Sequence, residues 1–175
     1  MWPATTGDGR RDTDRPLPSF FIGWRAGWGD SALGWTPTDY LNQDSAVGAT
    51  IAAGWLFNPP TVQYRGAVFL TERFAAATVD EWFVRYPNEP ARIESVVNAV
   101  ALYDFFANCD TGPYEDALPG LAADIGACWS GVLTSRYPEL AVHVEVADGA
   151  DAGYGPSVTF WTEPRQPSPA LGRDE

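Results

Sequence analysis

The sequence predicts an α+β fold: a single domain in which a mainly antiparallel sheet of about five strands carries three helices on one face, in the order β-β-β-α-α-α-β-β. Three observations predict it. Apolar residues alternate with period two in residues 20–28 and 47–57 and residues 62–71 are rich in β-branched and aromatic types, helical spacing takes over between Thr78 and Arg136, and alternation returns after Pro138. A chain of 175 residues with 45% hydrophobic and 14% aromatic content is long and apolar enough to bury one core.

Residues 1–18 are rich in Gly, Asp, Arg, Thr and Pro without periodicity, which predicts a flexible N-terminal arm; the domain is expected over 19–163 and a Pro-rich, charged tail over 164–175. From Phe20, the set Phe20, Ile22, Trp24, Ala26 and Trp28 alternates with Phe21, Gly23, Arg25 and Gly27, predicting a strand. A long polar connection follows over 29–46. Residues Val47, Ala49, Ile51, Ala53, Trp55 and Phe57 alternate again, and the turn Asn58-Pro59-Pro60-Thr61 joins them to VQYRGAVFLT as a predicted hairpin.

Thr78 followed by Glu81 has the form of a capping box opening a helix that Tyr86-Pro87 ends. The stretch from Pro90 to Asn108 reads as the spine of the core. On a helical wheel its polar residues Glu94, Asn98, Asp104 and Asn108 share one narrow side with Ala101, and the rest is apolar, so most of its circumference must be covered. Asp116 is the expected N-cap of the next helix, with Leu118, Leu121, Ala122, Ile125, Trp129, Val132 and Leu133 facing inward and small residues opposite. Tyr137-Pro138 stops it, and LAVHVEVA pairs with SVTFWTE as a second hairpin.

Composition bounds the function. Formal net charge is −12, and it is unevenly spread: residues 72–151 hold 14 Asp or Glu against 4 Arg, whereas residues 1–71 hold 6 against 5. Such a surface repels nucleic acid and anionic lipid and attracts a basic protein. No 18-residue apolar run and no signal sequence is visible, which predicts a soluble, cytoplasmic protein. Cys109 and Cys128, separated by roughly 15 Å if both lie on the predicted helices, are expected to be unlinked, as in a reducing compartment. All 11 basic residues are Arg, matching the codon bias of a high-GC bacterial genome.

Templates for catalysis are missing: the sequence contains no Walker A loop, GxGxxG, GxSxG, HExxH or CxxC. The single histidine, His143, is expected to face solvent beside Glu145, and Cys128 to be a small buried residue. No metal site and no cofactor are expected. The sequence therefore predicts a non-catalytic, acidic protein-binding domain of the immunity- or inhibitor-protein kind, docking on a basic partner through Asp104, Asp110, Glu115, Asp116 and Asp124. A second expectation is an enzyme or small-ligand carrier, with Trp28, Trp35 and Tyr40 forming an aromatic surface and Asp39, Asn42 or Arg65 supplying polar groups. A structural subunit of a larger assembly is a third.

Overall fold

The computed structural model describes residues 16–44, 47–149 and 154–165. These form seven α-helices and five strands in two small antiparallel sheets, so the mixed class holds while the predicted single sheet and element order do not. The predicted arm and tail lie mostly outside the described residues.

The N-terminal third is helical. Helices α1 (Ser19–Ala26), α2 (Pro37–Asp44) and α3 (Val47–Phe57) occupy the two segments expected to be strands and the connection between them. Phe20, Trp24 and Trp28 are four residues apart, as are Val47, Ile51 and Trp55, and that spacing satisfies period-two alternation and one face of a helix equally. In α1 the helix wins because Phe21 and Trp24 pack together at 5.6 Å between ring centroids. In α3, Ala49, Ala52, Ala53 and Leu56 are strong helix formers.

The first hairpin is consequently shorter and later than predicted. Strands β1 (Thr61–Tyr64) and β2 (Ala67–Leu70) pair with Tyr64 opposite Ala67, joined by Arg65-Gly66. Both turn residues have positive φ, 51° and 80°, the geometry of the tight turn that matches strand twist. All of β2 is buried.

Helix α4 (Ala76–Arg85) follows; it begins two residues before Thr78, and its N-cap, Ala75, makes no side-chain capping bond, so the expected capping box is not used. The spine is likewise not one helix. Helix α5 (Pro90–Val97) stops at Asn98, residues Val100–Ala101 become strand β3, and one turn, α6 (Leu102–Phe105), completes the segment. Val100 and Ala101 pair with Val158 and Ser157, and the Leu102 amide donates to the Pro156 carbonyl, so strand pairing interrupts the helical periodicity.

Helix α7 (Leu118–Arg136) buries Leu118, Ala122, Ile125, Trp129 and Leu133, the inner face expected from the sequence. Strands β4 (Leu140–Ala147) and β5 (Ser157–Pro164) form the predicted second hairpin, and the three-stranded order is β3-β5-β4. Val68, Leu70, Ile125, Trp129 and Phe160 share one core; Phe69, Val79 and Ile93 make a second on the other side of β2. The far end of α7 grips the chain before β1: Trp129 Nε1 donates to the Leu56 carbonyl at 2.6 Å, and the Arg136 guanidinium to Pro59 O, Asn58 Oδ1 and Thr61 Oγ1 at 2.6–2.8 Å.

Two residues expected on the narrow polar side of the spine, Glu94 and Asn98, are fully buried at 0% exposure. They lie between the sheets. Because β3 is only two residues long, the edge of β5 beyond Val158 lacks a strand partner, as does the edge of β2 turned away from β1. Glu94 accepts from the Val68 amide at 2.5 Å and from the Thr162 amide and hydroxyl at 2.6 and 2.7 Å. Asn98 accepts from the Leu70 amide at 2.9 Å and donates to Val68 O and Phe160 O at 2.9 and 3.2 Å. Burial raises the Glu94 pKa, opposed by the three donors that favour its carboxylate.

Two predictions follow from this packing. Glu94→Gln turns an amide donor toward Val68 N–H or Thr162 N–H and lowers stability by about 1–3 kcal/mol in chemical denaturation. Because the folded pKa of Glu94 lies above its unfolded value, wild-type stability falls as pH rises between the two, and the Gln variant lacks that slope. Gly126 is buried where α7 crosses β4, and an added Cβ would collide with the branched side chain of Val146; Gly126→Ala is expected to cost roughly 1–3 kcal/mol by the same measurement.

Candidate partner-binding surface

The expected site residues form an aromatic cluster on α1, α2 and the segment between them, and a series of carboxylates running from α6 into the first half of α7. In the cluster, Trp24 packs against Trp28, Trp35 and Tyr40 at centroid distances of 5.0–6.2 Å, and Trp28 against Trp35 at 5.3 Å. Arg25 ties it off by donating to the Trp35 carbonyl at 3.4 Å. These rings mainly contact one another, which anchors the first two helices together. Tyr40 and Trp24 also border a shallow cleft of about 430 Å³ with Phe20 and Tyr114.

Asp39, Asn42 and Arg65 do not converge. The Asp39 carboxylate accepts from the Thr36 amide and hydroxyl at 2.7 and 3.0 Å, bonds that hold its pKa below the ordinary value. Asn42 is exposed on α2. Arg65 pairs with Asp80 at 3.0 Å and lies over the Tyr64 and Phe83 rings.

The carboxylates have distinct environments. Asp104 pairs with Arg73 at 3.1 Å and accepts from the Tyr154 hydroxyl at 3.2 Å. Asp110 accepts from the Gly112 amide at 3.1 Å, closing a turn. Asp116 does not cap α7; Ala117 holds that position without a side-chain bond. Instead Asp116 accepts from the Ser19 amide at 2.9 Å, and this bond holds its pKa below the usual aspartate range. It thereby fastens the N-terminus of α1 to the 3₁₀ turn Gly112–Ala117. Glu115 is exposed on that turn, and Asp124 is exposed nearly two turns into α7.

Sequence reasoning missed what this tie creates. A cleft of about 640 Å³ opens between the start of α1, the N-terminus of α2 and the turn before α7. It is lined by Leu17, Pro18 and Phe20 from the start of α1, by Pro37 from α2, and by Phe106, Tyr114, Leu118 and Leu121 from the segment leading into α7. Cys109, Asp110 and Asp124 also border it. Its two walls are a hundred residues apart in sequence, and no local periodicity signals such a meeting.

Other exposed features lie elsewhere. Val47, Ile51 and Trp55 on α3 are 71%, 66% and 65% exposed, in one stripe. Cys128, expected to be buried, is exposed, and both cysteines are free thiols. His143 is exposed on the same face of β4 as Glu145, as expected, and it stacks on Trp161 with its Nε2 3.6 Å from Glu163. Among the described residues no group of three or more His, Cys, Asp or Glu is placed to hold a metal, and no helix is long and apolar enough to cross a membrane. No family model, curated protein or solved structure matches this chain.

If the Asp116–Ser19 bond fastens α1, Asp116→Ala will speed limited proteolysis within residues 19–57 by about three- to ten-fold and leave the cooperative unfolding of the remaining core nearly unchanged.

Proposed function

We propose that this chain is an acidic protein-binding domain that docks on a basic partner, in the manner of an immunity or inhibitor protein. The observation that carries this reading is the charge around the start of α7. No Arg, Lys or His occurs between Arg92 and Arg136, while Asp110, Glu115, Asp116 and Asp124 fall within that interval on exposed backbone. Elsewhere in the same half Asp80 pairs with Arg65, Asp104 with Arg73 and Glu89 with Arg92. The stretch from Asp110 to Asp124 contributes carboxylates and no cation of its own, and a surface of that composition steers a positively charged partner and selects against acidic competitors.

An apolar cleft at the same place supplies desolvated contact area, which charge alone does not provide. A second reading, a subunit of a larger assembly, draws on the exposed stripe of α3. The first reading is preferred because it accounts for both the charge and the cleft.

The test is affinity capture from the source cells with the wild type and with an Asp110→Asn, Glu115→Lys double variant. The expected result is a basic protein retained by the wild type, released as salt rises from roughly 50 to 300 mM, and held at least about tenfold more weakly by the variant. Retention by both proteins at high salt, or recovery only of acidic proteins, would overturn the reading.

A further inference from the structure

The cleft between α1 and the start of α7 specifies more than an overall charge. Its lining is apolar along the walls, from Leu17 and Phe20 to Leu118 and Leu121, and its polar contribution comes from Asp110, Asp124, Thr111 and Cys109. Among the described residues no basic side chain lines it. An occupant that brought a carboxylate or phosphate would meet the Asp110 carboxylate without a compensating cation, whereas an apolar body beside a guanidinium or ammonium group meets both parts of the lining.

The volume, about 640 Å³, falls in the range of sites that enclose two or three bulky side chains or a ligand of similar size. The cleft is also built to persist. Asp116 holds Ser19 at one wall, and Phe20 packs edge-on against Tyr114 and Tyr40 at 5.1 and 5.6 Å. Preorganisation of this kind lowers the ordering cost of binding.

Resting on the protein-binding reading above, we infer that this cleft receives a short segment of the partner in which two or three bulky apolar side chains stand next to an arginine or lysine. The apolar side chains pack on lining residues such as Phe20 and Leu121, and the cation pairs with Asp110. This makes the cleft the anchor point of the interface and the surrounding acids its steering field.

Cys109 offers a means of blocking the cleft without altering the core, since it borders the cleft and is exposed. The experiment selects a phage-displayed library of random dodecapeptides against the full chain carrying Cys128→Ser, so that Cys109 is the reactive thiol. Selection is repeated after Cys109 has been coupled to a bulky maleimide, and with an Ala117→Trp variant that fills the cleft from the turn; circular dichroism confirms that each remains folded. The expected result is enrichment of peptides with adjacent bulky apolar and basic residues, bound at least about tenfold more weakly by both blocked proteins.

Enriched basic peptides that bind the blocked proteins equally well would overturn the cleft as anchor while leaving a basic partner in place. Peptides that are apolar without basic residues would overturn the proposed occupant, as would acidic ones. Absence of enrichment would overturn this inference alone, because the charge-reversal capture decides the wider reading independently. Competition by a small apolar amine, rather than by peptides, would assign the cleft to a ligand instead of a partner chain.

Discussion

The structure depends on two polar side chains standing where a strand would otherwise be. Glu94 and Asn98 occupy the gap between β2 and β5 and bond five main-chain groups: the amides of Val68, Leu70 and Thr162 and the carbonyls of Val68 and Phe160. A buried ion pair can often be exchanged for well-packed apolar residues at little cost, because both charged partners leave together. That remedy fails here, since the partners are peptide groups that no substitution removes. Each orphaned group would cost about 1–3 kcal/mol. Joining two small sheets through a helix side, rather than through a shared strand, also fixes where α5 must end: Asn98 is committed to the sheets, and the chain beyond it turns into β3.

The sequence was most legible where one periodicity stood alone. Helix α7 shows its inner face in Leu118, Ala122, Ile125, Trp129 and Leu133, and β4 and β5 show alternating valines with a long connection, so those elements agree with their structures. Legibility failed where positions four apart satisfied two periods at once, as in Phe20, Trp24 and Trp28 and again in Val47, Ile51 and Trp55. The turn Arg65-Gly66 was missed because Arg is an uncommon occupant of positive φ, though the glycine beside it carried the signal. For the spine, the wheel gathered the polar residues on one narrow side without indicating what that side would meet. Glu94 and Asn98 fit that pattern by composition, and nothing local distinguishes a carboxylate that meets water from one that meets backbone amides.

For the surface, the sequence disclosed charge but not shape. The gap in basic residues from Arg92 to Arg136 is visible at once, and it locates Asp110, Glu115, Asp116 and Asp124 on one stretch. That Asp116 would hold Ser19, rather than cap its own helix, depends on α1 packing against a turn 97 residues further along the chain. The aromatic residues illustrate the same limit. Trp28, Trp35 and Tyr40 drew attention as a possible surface, yet Trp24 sits among them and they form a small satellite cluster that positions one wall of the cleft.

The bridge between the sheets also sets an order of assembly. Thr162 lies 68 residues after Glu94, Phe160 lies 62 after Asn98, and the Arg136 clamp reaches back 75 to 78 residues. Helices α1 to α3 form from local contacts, but their docking waits for α7, and the two polar side chains of α5 wait for the last strand to emerge. Such long sequence separations slow folding by requiring large loops to close first. During synthesis Leu56 and Phe57 of α3 stay uncovered until α7 has been made, and the bridge from β2 to β5 cannot close until the last strand has emerged.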